Sequence, residues 1–134
     1  PGGHCDPADR DAAATALREA WEEVGLVPEQ IEVIGRMPDF PTITGFRVTP
    51  VVGLVTPPLN LKLDDFEVAE VFEVPLAAVL RPDNWHRDSL DRQGPRREFW
   101  AMHWQSHYIW GATAGMLVNF AHLVREHLDP EDWA

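Results

Sequence analysis

Residues 11–25 read DAAATALREAWEEVG, and no other stretch limits the fold as tightly. Ala13, Ala16, Leu17, Ala20, Trp21 and Val24 recur at alternating three- and four-residue steps, the period of one apolar helix stripe. Asp9 or Asp11 stands where a helix N-cap belongs, and Gly25 where a left-handed C-cap belongs. The spacing therefore predicts a helix over 11–24. On it, Glu19, Glu22 and Glu23 fall at positions i, i+3 and i+4, which places them on one face, away from the stripe of Leu17, Trp21 and Val24. At ~4 Å and an effective dielectric of ~20, each like-charged pair costs roughly 4 kcal/mol before relaxation. Arg18 lies four residues before Glu22 and can pair with it, but one arginine does not neutralise three carboxylates. Taken alone, the comb fits a solvated acidic face. It also fits a site for a hard divalent cation such as Mg²⁺ or Mn²⁺, which prefers grouped oxygen ligands.

The remaining chain supplies a core for this helix. IEVIGRM (31–37) and GFRVTPVVGLV (45–55) are apolar and β-branched, so both are expected as strands, with Pro50 marking an edge or bulge in the second. Residues 56–66 are a turn-rich connection, 68–76 are strand-like, and LAAVLRP gives a short helix or turn. Residues 82–97 are polar and expected as loop; 98–110 are aromatic-rich and expected as a strand or hairpin. A second helix is expected over 111–128, with Met116, Leu117, Phe120, Leu123, Val124 and Leu128 on its apolar face. Strands and helices alternate without a repeating rhythm, so the expected class is α/β or α+β around a mixed sheet.

Charge narrows the function. The chain carries 11 basic and 22 acidic residues, a net charge of −11, and so has no general attraction for nucleic acid or anionic membranes. No apolar run approaches the ~20 residues of a membrane span. The single cysteine, Cys5, excludes an internal disulfide and fits a reducing, cytoplasmic compartment. Cys5 has no partner base in view, so it is expected as a small buried or half-buried residue and not a nucleophile. If such an acidic chain binds a phosphate compound, divalent cations are the usual means of offsetting the repulsion.

The flanking residues add a resemblance. The run Arg18, Glu19, Ala20, Trp21, Glu22, Glu23, Val24, Gly25, Leu26 matches the core of the Nudix box, Arg-Glu-aliphatic-any-Glu-Glu-any-Gly-aliphatic, at every fixed position; only Ala20 is small for its slot. Upstream, Gly3 is followed after five residues by Asp9 where the general pattern has Glu, and eight residues in place of seven then precede Arg18. This form, with the later blocks TGFRVTPVVGLV (44–55), EVAEVFEVPLAAVL (67–80) and IWGATAGML (109–117), resembles the coenzyme A pyrophosphatase branch over nearly the whole chain. The resemblance implies a single Nudix domain over 1–134, an α/β/α sandwich around a mixed sheet. Its opening strands, and the segment that marks coenzyme A in that branch, would lie upstream of Pro1.

The resemblance also implies a chemistry. Nudix enzymes hydrolyse a diphosphate linked to another moiety by water attack at phosphorus. Glu19, Glu22 and Glu23 would ligate Mg²⁺ or Mn²⁺, with Glu19 the candidate general base, and Arg18 would hold the glutamates. Gly2 and Gly3 would let the loop approach the helix, and His4 is a candidate substrate contact. Glu67 is the candidate further ligand, with Asp64, Asp65 and Glu70 as rivals. Coenzyme A would yield 3′,5′-ADP and 4′-phosphopantetheine, and a homodimer is possible. The adenine would need a stacking surface, for which Phe40, Phe46, Trp100, Trp104, Tyr108 and Trp110 are available. Rival readings are a pyrophosphatase for ADP-ribose or NADH, a diphosphate isomerase, and a silent binding domain; the complete glutamate set argues against the last two. His103 and His107 lie four residues apart, ~13 Å along a single strand, and so are expected as structural or surface residues.

Overall fold

A computed structural model describes residues 1–90 and 96–132. By backbone proximity the chain falls into two compact units, Pro1–Phe72 and Glu73–Ala134. Both combine helix and sheet, as the expected α+β class requires. The strands pair only antiparallel among the described residues, where the sequence suggested a mixed sheet.

In the first unit, α1 spans Ala12–Val24. Asp11 is its N-cap, accepting the Ala14 N–H at 2.8 Å, and Gly25 ends it with φ 76°. β1 (Ile31–Arg36) pairs with β4 (Val51–Val55), with a register shift between Val33 and Gly35. β2 (Phe40–Pro41) pairs with β3 (Arg47–Val48) as a short hairpin. The run expected as one strand over 45–55 is thus two pieces. Pro50 has no N–H to give, while its carbonyl accepts the Met37 N–H at 2.9 Å.

In the second unit, α2 (Leu76–Leu80) precedes β5 (His86–Leu90), β6 (Arg97–Trp104), β7 (His107–Trp110) and α3 (Gly111–Arg125). The sheet order is β5-β6-β7. Its core gathers Val79, Leu80, Trp85, Met102, Ile109, Ala114 and Ala121. The Trp85 indole N–H reaches the Val79 carbonyl at 2.9 Å and the Arg125 guanidinium reaches the Leu80 carbonyl at 2.7 Å, so polar groups are satisfied where the elements meet.

Three expectations change here. Residues 68–75 form no regular strand, for Glu70 and Glu73 break the alternation a half-buried strand needs. Within the expected loop, 86–90 form a strand; residues 91–95 lie outside the described residues. On α3, Ala114 and Ala121 are buried, because their small side chains admit the closest approach, whereas Leu123 is exposed; the helix ends at Arg125, so Leu128, expected on its apolar face, lies beyond it and is exposed.

Candidate metal and diphosphate site

The candidate site is assembled within the first unit by three segments of the chain: a helix, a glycine loop and a distant loop. On α1 the three glutamates are not equivalent. The Glu22 side chain is 53% exposed, that of Glu19 14%, and Glu23 is buried. Trp21, expected on the packed stripe, is instead 54% exposed. The buried side of the helix is made by Thr15, Ala20, Glu23 and Val24, so it is turned from the stripe that periodicity suggested.

Arg18 organises the acidic groups around it. Its guanidinium donates to Glu19 Oε1 at 3.1 Å and to Glu22 Oε2 at 3.2 Å, the pairing expected of it. It also donates to Asp9 at 3.3 and 3.1 Å and to the His4 carbonyl at 3.0 Å. Asp9 accepts further from the Thr15 hydroxyl at 2.9 Å and the Asp6 N–H at 2.8 Å. The Arg18 hydrogen bond, with these neighbours, pulls the Asp9 carboxyl down to about 2. The same Asp9 hydrogen bond raises the Arg18 pKa further above its usual value. Asp9 is the participant that sequence reasoning missed. It was visible only as a departure from the box pattern and as one of two cap candidates, and Asp11 takes the cap.

The glycine loop lies directly on Glu19. A Cβ placed on Gly3 would contact the Glu19 carboxylate, with Cδ only 2.7 Å away, so any side chain there displaces the group. Gly2 meets no such obstacle; its N–H instead bonds to Glu23. His4 is exposed, and its ring sits edge-on to Phe46 at 5.4 Å between centroids.

The distant loop is fastened to the end of α1. The Lys62 N–H donates to the Val24 carbonyl at 2.9 Å, and the Asp64 N–H donates to the Glu23 carbonyl at 2.8 Å. Two carbonyls left over by the last helical turn are thereby satisfied by a segment about forty residues away in sequence. Asp64 then turns the chain: its side chain accepts the Phe66 N–H at 3.0 Å and its carbonyl accepts from Val68 at 2.8 Å. This turn brings Glu67 close enough to Glu23 to act on its charge.

Burial pushes the Glu23 carboxyl up, the Gly2 N–H opposes this, and the Glu19 and Glu67 charges push it up further. Among the described residues Glu23 has no ion-pair partner. A buried carboxylate flanked by two others, all with hard oxygen donors, is a place where a divalent cation fits in kind. As the side chains stand, no three His, Cys, Asp or Glu groups among the described residues converge on one point, because Arg18 draws Glu19 and Glu22 to itself.

The aromatic candidates are dispersed. Phe40 lies in β2 and Phe46 beside His4, while Trp100 and Trp104 pack against the core of the second unit. Trp110 is 53% exposed, and the Tyr108 hydroxyl donates to Asp88 at 2.6 Å. His103 and His107 sit on separate strands of the β6–β7 hairpin, so the single-strand separation does not apply; His103 stacks on His86 at 5.6 Å. No helix among the described residues is long and apolar enough to cross a membrane.

Comparison with known proteins identifies the family. The NUDIX domain family matches residues 1–93. A protein called uncharacterized Nudix hydrolase NudL from Enterobacter sp. (strain 638) is 43% identical over 121 residues, which cover 90% of this chain and 63% of that protein. Proteins with the same description from Cronobacter sakazakii (strain ATCC BAA-894) and Escherichia coli (strain K12) are 44% and 41% identical over the same coverage. The chain thus spans 63% of the length of these relatives.

Proposed function

This chain belongs to the Nudix family, and from that premise we propose that it hydrolyses a diphosphate linkage of a small nucleotide derivative, using Mg²⁺ or Mn²⁺. We read residues 1–134 as one Nudix domain. The observation that carries the proposal is the cluster on α1: Glu19 under the Gly3 backbone, Glu23 buried with no ion pair among the described residues, and Arg18 bridging Glu19, Glu22 and Asp9.

Glu19, Glu22, Glu23 and Glu67 would hold the cation. When bound, the cation neutralises the diphosphate, polarises phosphorus and lowers the pKa of a bound water. The protein groups do the rest. Arg18 holds two of the carboxylates and the glycine loop in one arrangement through charge-assisted bonds. Gly3 packs flat on Glu19, limiting the directions in which that carboxylate can accept a proton from an attacking water. Gly2 donates its N–H to Glu23 and His4 lies beside the same loop, where a phosphate oxygen would be within reach.

Coenzyme A or a derivative is the proposed substrate, cleaved to 3′,5′-ADP and 4′-phosphopantetheine. Support for it comes from the blocks at 44–55, 67–80 and 109–117, which resemble that branch. The test is a mass-spectrometric product assay on the full-length protein with Mg²⁺ or Mn²⁺, offering coenzyme A, ADP-ribose and NADH side by side. Release of 3′,5′-ADP from coenzyme A is expected. Turnover of another substrate without it would overturn the substrate assignment and leave the reaction class standing.

A further inference from the structure

Lys62 is the one lysine of a 134-residue chain whose net charge is −11. Its backbone is fixed against the end of α1. The N–H bonds to Val24, and a Cβ on Gly25 would stand 2.7 Å from the Lys62 nitrogen, so the helix and loop touch with no side chain between them. The lysine lines an open cleft of about 490 Å³ together with Trp21, Glu22, Asn60 and Asp64. Among the described residues the Lys62 ammonium makes no ion pair, although carboxylates line the same cleft. Trp21 spends its indole on solvent here, 54% exposed, on the helix that carries the glutamates. An unpaired cation, an exposed aromatic face and an amide in one cleft match a ligand that is both planar and anionic.

We propose that this cleft binds the nucleotide portion of the substrate, with the base stacked on Trp21, a phosphate on Lys62 and Asn60 oriented to the base or ribose. Glu22 lies on its wall, so a nucleotide held there has its diphosphate directed toward the glutamate cluster. This inference rests on the diphosphate-hydrolase reading and adds to it the place where the nucleotide is recognised.

The test uses the full-length protein and two probes, ADP and inorganic pyrophosphate, titrated calorimetrically with Mg²⁺ present to offset the charge of the chain. Replacing Trp21→Ala is expected to weaken ADP by about ten-fold, the usual size of one lost base-stacking contact, and to leave pyrophosphate within about two-fold. Lys62→Gln is expected to weaken both probes, and Trp21→Phe to retain most of the ADP affinity. Lysine acylation read by peptide mapping is expected to modify Lys62 in the wild type and to be slowed by ADP, a readout that needs no variant to fold. ADP binding that is absent in the wild type, unchanged in Trp21→Ala, or without effect on Lys62 labelling would overturn the proposal. The two readings separate cleanly. Diphosphate hydrolysis with an unchanged KM in Trp21→Ala would remove the cleft and keep the reaction. ADP binding that depends on Trp21, without hydrolysis, would do the reverse.

Discussion

One methyl group at position 3 would collide with the Glu19 carboxylate, whose Cδ lies 2.7 Å from where it would stand. Gly3→Ala is therefore expected to cost about 10²-fold in kcat, the penalty of a misplacement near 1 Å, with little change in global stability. Steady-state kinetics beside a urea melt measures both. Asp9 gives a pH prediction. Its folded pKa of about 2 lies below the usual 3.8, so its stabilisation is present above the usual value and lost as pH falls through the lower one. Asp9→Asn should destabilise the protein at pH 7, and the gap to wild type in urea melts should narrow as the pH falls below 3.8. At this scale the sequence was informative about Arg18 and its pairing with Glu22, because both lie on one helix and the spacing sets their distance. It was misleading about Trp21 and Glu23. What covers Glu23 is Gly2 from upstream and the loop around Asp64 from downstream, and helix periodicity carries no information on either.

Among the elements, α1 was the most legible, since Asp11 and Gly25 declare its ends by local chemistry. Its C-terminus also explains why the site depends on a distant loop. Gly25 has φ 76° and contacts the Lys62 backbone, so Gly25→Ala meets both a backbone penalty and a steric one. A loss of about 1–3 kcal/mol in urea unfolding is expected from the backbone conformation alone. The same variant should weaken activity, because the loop that carries Asp64 and Glu67 is held by Lys62 and Asp64 N–H bonds to the end of α1. The strand at 86–90, HRDSL, was illegible because strand pairing, and not apolar alternation, supports it: Arg87 pairs with Trp100 and Asp88 with Phe99 on β6. Residues 68–75 show the converse, a β-branched composition without a partner strand among the described residues.

For the molecule as a whole, a net charge of −11 would repel a diphosphate unless cations stand between the two. The α1 comb concentrates that repulsion where Glu23 is buried beside Glu19 and Glu67. We propose that these carboxylates serve a cation-assisted hydrolysis. It is tested most directly by turnover of coenzyme A, ADP-ribose and NADH in ¹⁸O-water, comparing the full-length wild type with Glu22→Gln/Glu23→Gln in the presence of Mg²⁺ or Mn²⁺. One ¹⁸O atom is expected in a phosphate product of the wild type, and a rate lower by about 10³-fold or more in the double variant, consistent with the several kcal/mol such cations supply. Turnover by the double variant at a rate near that of the wild type would contradict it.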